Sequence, residues 1–339
     1  DIVQWHFSPE TGCPFWLEWA GKAGWDPARE IGGFDDLIQR FPHFQDEWLR
    51  DLQPEVWVPA EFKGKPFNIF ETGGTTGMPK QRIGWNDFRV DYSEFSEKIS
   101  DEHFPRDHYW LMVGPTGPRR LRLAIEHLAN VRGCSCYFVD LDPRWVKKLI
   151  KSKQFDQAKA YMEHVIDQAM QVIRNRRVDA LFTTPKLLES LAERISIPGA
   201  GIKGVFCGGT QMQPQYVRFL IEEVLEKQTR LVPTYGNTLM GLAAHKPLAP
   251  EDNYSITYHA PQPRAVLRVV DPESTDETVD YGQWGRVELS TFTQELFMPR
   301  YLERDEAIRR KPCDPFPWDG VGDVRPFGAS EQAIVEGVY

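Results

Sequence analysis

The sequence has no surplus of positive charge. Forty Lys and Arg stand against 49 Asp and Glu, a formal net charge of −9 over 339 residues. A general nucleic-acid or anionic-membrane binder carries a basic footprint, so neither partner is expected. No apolar run approaches the ~20 residues of a membrane-spanning helix. The N-terminus, Asp1-Ile2-Val3-Gln4-Trp5-His6, has neither the basic nor the apolar region of a secretory signal, and it lacks an initiator Met. The expected location is cytoplasmic. Cysteine is scarce and odd in number: Cys13, Cys134, Cys136, Cys207 and Cys313. That set fits reduced thiols rather than a disulfide framework. Cys134-x-Cys136 is too closely spaced for a usual metal pair and has no second pair, so no metal site is expected from it. There is no internal repeat.

Aromatic residues are plentiful and unevenly placed. Trp5, Trp16, Trp19, Trp25, Trp48 and Trp57 are six of the eleven tryptophans. They predict a helical N-terminal layer pinned by large ring contacts. From 108 to about 235 the pattern alternates. Tyr109 to Val113, Cys136 to Val139, Val178 to Thr184 and Ile202 to Phe206 read as buried strands. Leu121 to Val131, 155–174, a segment opened by Pro185, and 214–227 have helical spacing. Repeated strand and helix predict an α/β fold with a mainly parallel sheet. Ligands of such sheets bind beyond the carboxyl ends of the strands, where Gly114, Gly208-Gly209 and Gly236 would gather. After 250, Ala265 to Val270 and Gly285 to Ser290 read as strands without intervening helices. The expected organisation is an α/β core over 1–250, including the aromatic-rich layer, and a β-rich subdomain with tail over 251–339.

The segment richest in chemistry is Glu71-Thr72-Gly73-Gly74-Thr75-Thr76-Gly77-Met78-Pro79-Lys80. Its glycines free the backbone to present N–H groups to an anion. Thr72, Thr75 and Thr76 add hydroxyls and Lys80 a positive charge. The combination fits a polyphosphate cradle. It is not a Walker loop, because the Gly-Lys-Ser/Thr ending is missing. A flexible Gly/Thr turn is the alternative reading of the composition.

Thr72 to Lys80 resembles the phosphate loop of the ANL superfamily of adenylate-forming enzymes. Further segments resemble the superfamily's other motifs, in order. Cys207-Gly208-Gly209-Thr210 is similar to the strand end beside the adenine. Tyr235-Gly236-Asn237-Thr238 is similar to the motif that stacks on adenine and meets the α-phosphate. Gly285 to Asp305, with Arg300-Tyr301, resembles the phenylacetate–CoA ligase branch. Gly322-Asp323-Val324 resembles the ribose motif. The resemblance implies an ANL-type core with parallel-sheet α/β layers and a β-rich subdomain. It also implies ATP and Mg²⁺ as cofactors. Catalytic roles fall to Lys80 and Thr238. Nucleotide contacts fall to Thr72, Gly73, Gly74, Thr75, Thr76, Gly77, Gly208, Gly209, Thr210, Tyr235, Gly236 and Asn237. Asp323 or Asp305 would bind the ribose, with Asp323 favoured for its Gly-Asp context.

Two departures from the pattern accompany the resemblance. The family's Mg²⁺-holding glutamate is replaced by Leu239, and leucine offers no oxygen to a hard cation. The family's small C-terminal domain has no counterpart after Asp323, where only Arg325 to Tyr339 remain. This shortness resembles an atypical member associated with modifying a phenazine carboxylate in antibiotic biosynthesis. The implied activity is ATP-dependent adenylation of an aromatic carboxylate. The acyl-adenylate would pass to an acceptor such as a reductase, with a homodimer as a further possibility. The alternatives are a non-catalytic nucleotide- or aromatic-acid-binding subunit, and a trimmed aryl-CoA ligase.

Overall fold

The computed structural model describes residues 1–73, 78–117, 120–209 and 211–328. The N-terminal layer is built of short helices at Ile2–Phe7, Pro14–Ala23, Pro27–Glu30, Phe34–Arg40 and Trp48–Asp51. Pro14 and Pro27 open their helices at the position where a missing N–H costs nothing. Gly24, at φ 77°, closes the second helix in the left-handed conformation. A hairpin follows, β1 (Asn68–Glu71) and β2 (Gln81–Gly84), with Glu71 opposite Gln81.

Seven strands come next in the chain: β3 (Tyr109–Gly114), β4 (Ser135–Asp140), β5 (Ala180–Thr183), β6 (Gly204–Gly208), β7 (Arg230–Asn237), β8 (Gly241–His245) and β9 (Thr257–His259). Their order in the sheet is β9-β8-β7-β6-β5-β3-β4. The pairs β3–β4, β3–β5, β5–β6 and β6–β7 are parallel, as expected. Helices connect the parallel strands, among them Arg120–Val131, Phe155–Asn175 and Pro185–Ala192. Covering both faces of a parallel sheet requires apolar strands, and Leu111, Met112, Val113, Leu181 and Val205 are fully buried. Gly133, at φ 72°, follows the Arg120–Val131 helix. The helix expected over 214–227 is α-helical only at Pro214–Phe219. Leu220–Val224 then forms a π turn.

The last strands are β10 (Ala265–Val270), β11 (Trp284–Phe292), β12 (Phe297–Arg310) and β13 (Gly320–Pro326), each antiparallel to the next. The 14-residue β12 was not expected, because its charges mask the strand pattern. It carries a bulge. Leu289 pairs with Tyr301 and Thr291 with Met298, so Pro299 and Arg300 together face Ser290 alone. Arg300 takes φ 53° there, and such bulges re-aim the side chains that follow. Its guanidinium is buried against Glu288 and donates to the carbonyls of Ile38 and Phe41 at 2.8 and 2.9 Å.

The chain divides into two compact units. One unit holds Asp1–Asp87, Asn237–Gly241 and His259–Phe327; the other holds Phe88–Gly236 and Leu242–Tyr258. The aromatic layer belongs with the antiparallel strands because its rings bury there. Trp16 is 1% exposed, and its Nε1 donates to the Phe297 carbonyl at 2.9 Å. His6 hydrogen-bonds the Thr293 carbonyl through Nε2 at 2.6 Å. Burial pushes that imidazole's pKa down to about 4. No helix among the described residues is long and apolar enough to cross a membrane.

Candidate functional site

The Gly/Thr loop joins β1 to β2, and its two ends are tied to each other. Thr72 N–H donates to the Lys80 carbonyl at 3.0 Å, and Lys80 N–H donates to Thr72 Oγ1 at 3.0 Å. Gly73 is half-buried. Gly74, Thr75, Thr76 and Gly77 lie outside the described residues.

Lys80 is buried, 6% exposed. Its Nζ lies 3.1 Å from Asp46 Oδ1 and also donates to the Tyr301 hydroxyl, which in turn donates to Asp46. The ammonium sits 4.7 Å from the centre of the Tyr301 ring. Burial lowers the Lys80 pKa, while the carboxylates of Glu303 and Asp46 oppose that shift. Burial also works against the Asp46 charge. The Tyr301 hydroxyl and the cations of Lys80 and Arg50 outweigh it and hold the carboxyl below its ordinary range. Arg304 approaches the same carboxylate at 3.5 Å.

The segment Asn237-Thr238-Leu239 reaches this cluster from elsewhere in the chain. Asn237 Oδ1 accepts from the N–H groups of Leu239 and Met240, both at 2.8 Å. Its Nδ2 donates to Glu303 Oε1 at 2.6 Å. Thr238 Oγ1 donates to the Glu71 carbonyl at 3.3 Å, beside the foot of the loop. Arg82, 3% exposed, donates to the carbonyls of Thr238 and Leu239 at 3.2 and 2.6 Å, and pairs with Asp87. Thr291 Oγ1 donates to the same Leu239 carbonyl at 3.1 Å. The turn is thus held from three sides.

The two carboxylates weighed for ribose stand in different company. Asp305 is close enough to Glu303 to raise its pKa. Asp323 pairs with Arg310 at 3.0 Å and has φ 52°. A Cβ on the preceding Gly322 would lie 2.3 Å from Arg310 Nε, so the arginine side chain packs against that glycine.

Gly208, Gly209, Tyr235 and Gly236 belong to the other unit. Gly208 closes β6, where a Cβ would meet Thr234 Oγ1 at 2.2 Å. Gly209 follows at φ 94°, a conformation that suits glycine. The Tyr235 ring lies 5.6 Å from that of Tyr258. Thr210 lies outside the described residues.

Sequence reasoning missed Asp46, Arg82 and Glu303. Asp46 and Arg82 stand outside every quoted motif, and Glu303 lies inside one only as an unassigned position. Among the described residues no group of three or more His, Cys, Asp or Glu could hold a metal. The Leu239 side chain is 1% exposed, and its carbonyl is already engaged.

No family model and no curated protein matches the sequence. Solved structures do match its fold. An open conformation of 2-hydroxyisobutyryl-CoA ligase, in complex with 2-HIB-AMP and CoA, aligns with TM-score 0.62 and 17% identity, covering 95% of this chain and 70% of that one. The same ligase in the thioesterification state gives TM-score 0.65 at 17% identity, over 96% of this chain and 65% of that one. Its postadenylation state with R3-HIB-AMP gives 0.64, again at 17% identity and over 96% and 65% of the two chains. The likeness is one of fold: this chain shares the α/β core fold of that ligase.

Proposed function

We propose that the chain catalyses ATP-dependent adenylation of an aromatic carboxylate, a phenazine carboxylate in the finest form of the reading. The observation that carries this is the meeting of Thr238 with the foot of the Gly/Thr loop. Two motifs that must share one nucleotide are far apart in sequence, yet Thr238 Oγ1 is 3.3 Å from the Glu71 carbonyl. The fold likeness to a ligase solved with an acyl-adenylate supports the same reading.

The carboxylate attacks the α-phosphorus of ATP. A C–O–P anhydride forms and pyrophosphate leaves. Catalysis of this kind is positioning and charge stabilisation. Thr72, the loop glycines, Thr75, Thr76 and Lys80 hold the β- and γ-phosphates. Thr238 meets the α-phosphate. Gly208, Gly209, Thr210, Tyr235 and Gly236 frame the adenine. Asn237 shapes the turn that presents Thr238. Asp323, in its Gly-Asp context, binds the ribose, with Asp305 as the alternative carboxylate. The acyl-adenylate passes to an acceptor protein such as a reductase.

The test is ATP–pyrophosphate exchange across a panel of aromatic acids. One or more acids should support exchange. Lys80→Ala should lose about 1.5–3 kcal/mol of nucleotide interaction, the worth of one charge-assisted bond. Absence of exchange with every acid would overturn the reaction. The burial of Leu239 favours a second reading, a nucleotide- or aromatic-acid-binding subunit without group transfer. Its signature is ATP or acid binding with no exchange.

A further inference from the structure

We propose that Asp46 is a positioning residue of the nucleotide site, acting through Lys80. The inference rests on the reading of Lys80 as a phosphate contact. Asp46 lies in the N-terminal layer, outside every motif that the sequence displays. Its two oxygens have separate partners. Oδ2 is held by Arg50 and by Arg304, the latter at 3.5 Å. Oδ1 takes the Lys80 ammonium at 3.1 Å and the Tyr301 hydroxyl.

The direction of each bond follows from the donor inventory. An ammonium only donates, and a carboxylate only accepts. The Tyr301 hydroxyl must therefore accept from Lys80 and donate to Asp46. A lysine ammonium carries three N–H donors. Asp46 and Tyr301 take two and orient the head, so the third serves a phosphate oxygen. A buried ammonium without a counterion sheds its proton. Asp46 thus supplies both the direction and the charge of Lys80. The charged and titratable groups around Lys80 are Asp46, Glu303, Arg304 and Tyr301, with Arg50 on the far side of Asp46. Of these, Asp46 is the carboxylate in direct contact with Nζ.

The experiment compares wild type, Asp46→Asn and Asp46→Glu in the full chain. Lysine labelled at Cε reports the titration of each ammonium by NMR, and Lys80→Arg identifies the Lys80 signal. Calorimetry gives the Kd for ATP from pH 6 to 9.5. In Asp46→Asn, Lys80 should titrate at least one pH unit lower than in wild type. Its Kd for ATP should rise about tenfold at pH 7, and further towards pH 9. Asp46→Glu keeps the charge but displaces it, so Kd should rise severalfold with the wild-type pH profile. A purely structural role would lower stability and leave both pH profiles in place. An unchanged Lys80 titration, or tighter ATP binding by Asp46→Asn, overturns the inference. If Asp46→Asn does not fold, wild-type affinity in Asp46→Glu overturns it. A wild-type protein that binds no ATP overturns the nucleotide reading itself and this inference with it.

Discussion

The side-chain amide of Asn237 donates a 2.6 Å hydrogen bond to the carboxyl of Glu303. It ties the turn after β7 to the middle of β12. Glu303 is 7% exposed. Burial and then the neighbouring Asp305 push its pKa up to about 7. Lys80 and the Asn237 amide pull the other way.

Stability should therefore depend on Glu303 in a defined pH window. The folded state holds its proton to about pH 7, the unfolded state only to the ordinary carboxyl value of 4.5. Between those values the folded state binds more protons, so stability falls as pH rises. Glu303→Gln should remove this loss, and its advantage over wild type should grow from pH 5 to pH 8. His6 and His245 act in the opposite sense. Both are lowered from 6.5 to about 4 by burial, so stability is lost as pH falls from 6.5 towards 4. Urea midpoints across pH 4–8 measure both limbs. Equal midpoint shifts for Glu303→Gln at pH 5 and pH 8 would remove the Glu303 assignment.

The ribose carboxylate can be identified by direct comparison. Asp305 lies beside Glu303, and Asp323 pairs with Arg310. Asp323→Ala should weaken ATP binding about tenfold or more, the scale of a charge-assisted hydrogen bond. Asp305→Ala should weaken it less. Calorimetric Kd values of both variants give the answer. A larger affinity loss in Asp305→Ala would assign the ribose to Asp305 instead.

Leu239→Glu should fail to create a metal ligand. The leucine is 1% exposed, and Arg82 and Thr291 both hold its backbone carbonyl. A glutamate there loses apolar burial and places a carboxyl where no water reaches it. The expected cost is about 3 kcal/mol or more. Denaturant unfolding measures the cost, and Mn²⁺ titration followed by electron paramagnetic resonance should show no gain in binding. A stable variant with a new tight Mn²⁺ site would contradict the assignment of Leu239 to the core.

The sequence by itself determined the features whose physics is local. Leu111 to Val113 and Leu181 show as strands because a sheet covered on both faces needs unbroken apolar runs. Pro185 and Gly133 mark helix ends because each fixes or frees its own backbone. Tertiary structure alone decided what those elements meet. β12 carries charges at Arg300, Glu303, Arg304 and Asp305, and a charged strand has no apolar period to read. Three of these charges meet a partner from elsewhere: Glu288 for Arg300, Asn237 for Glu303, Asp46 for Arg304. The aromatic helices join the antiparallel strands rather than the parallel ones because Trp16 and His6 find their acceptors at Phe297 and Thr293. Lys80 was legible as a charge beside a glycine loop. Its orientation was not, because the carboxylate that fixes it lies 34 residues upstream, in a segment with no pattern of its own.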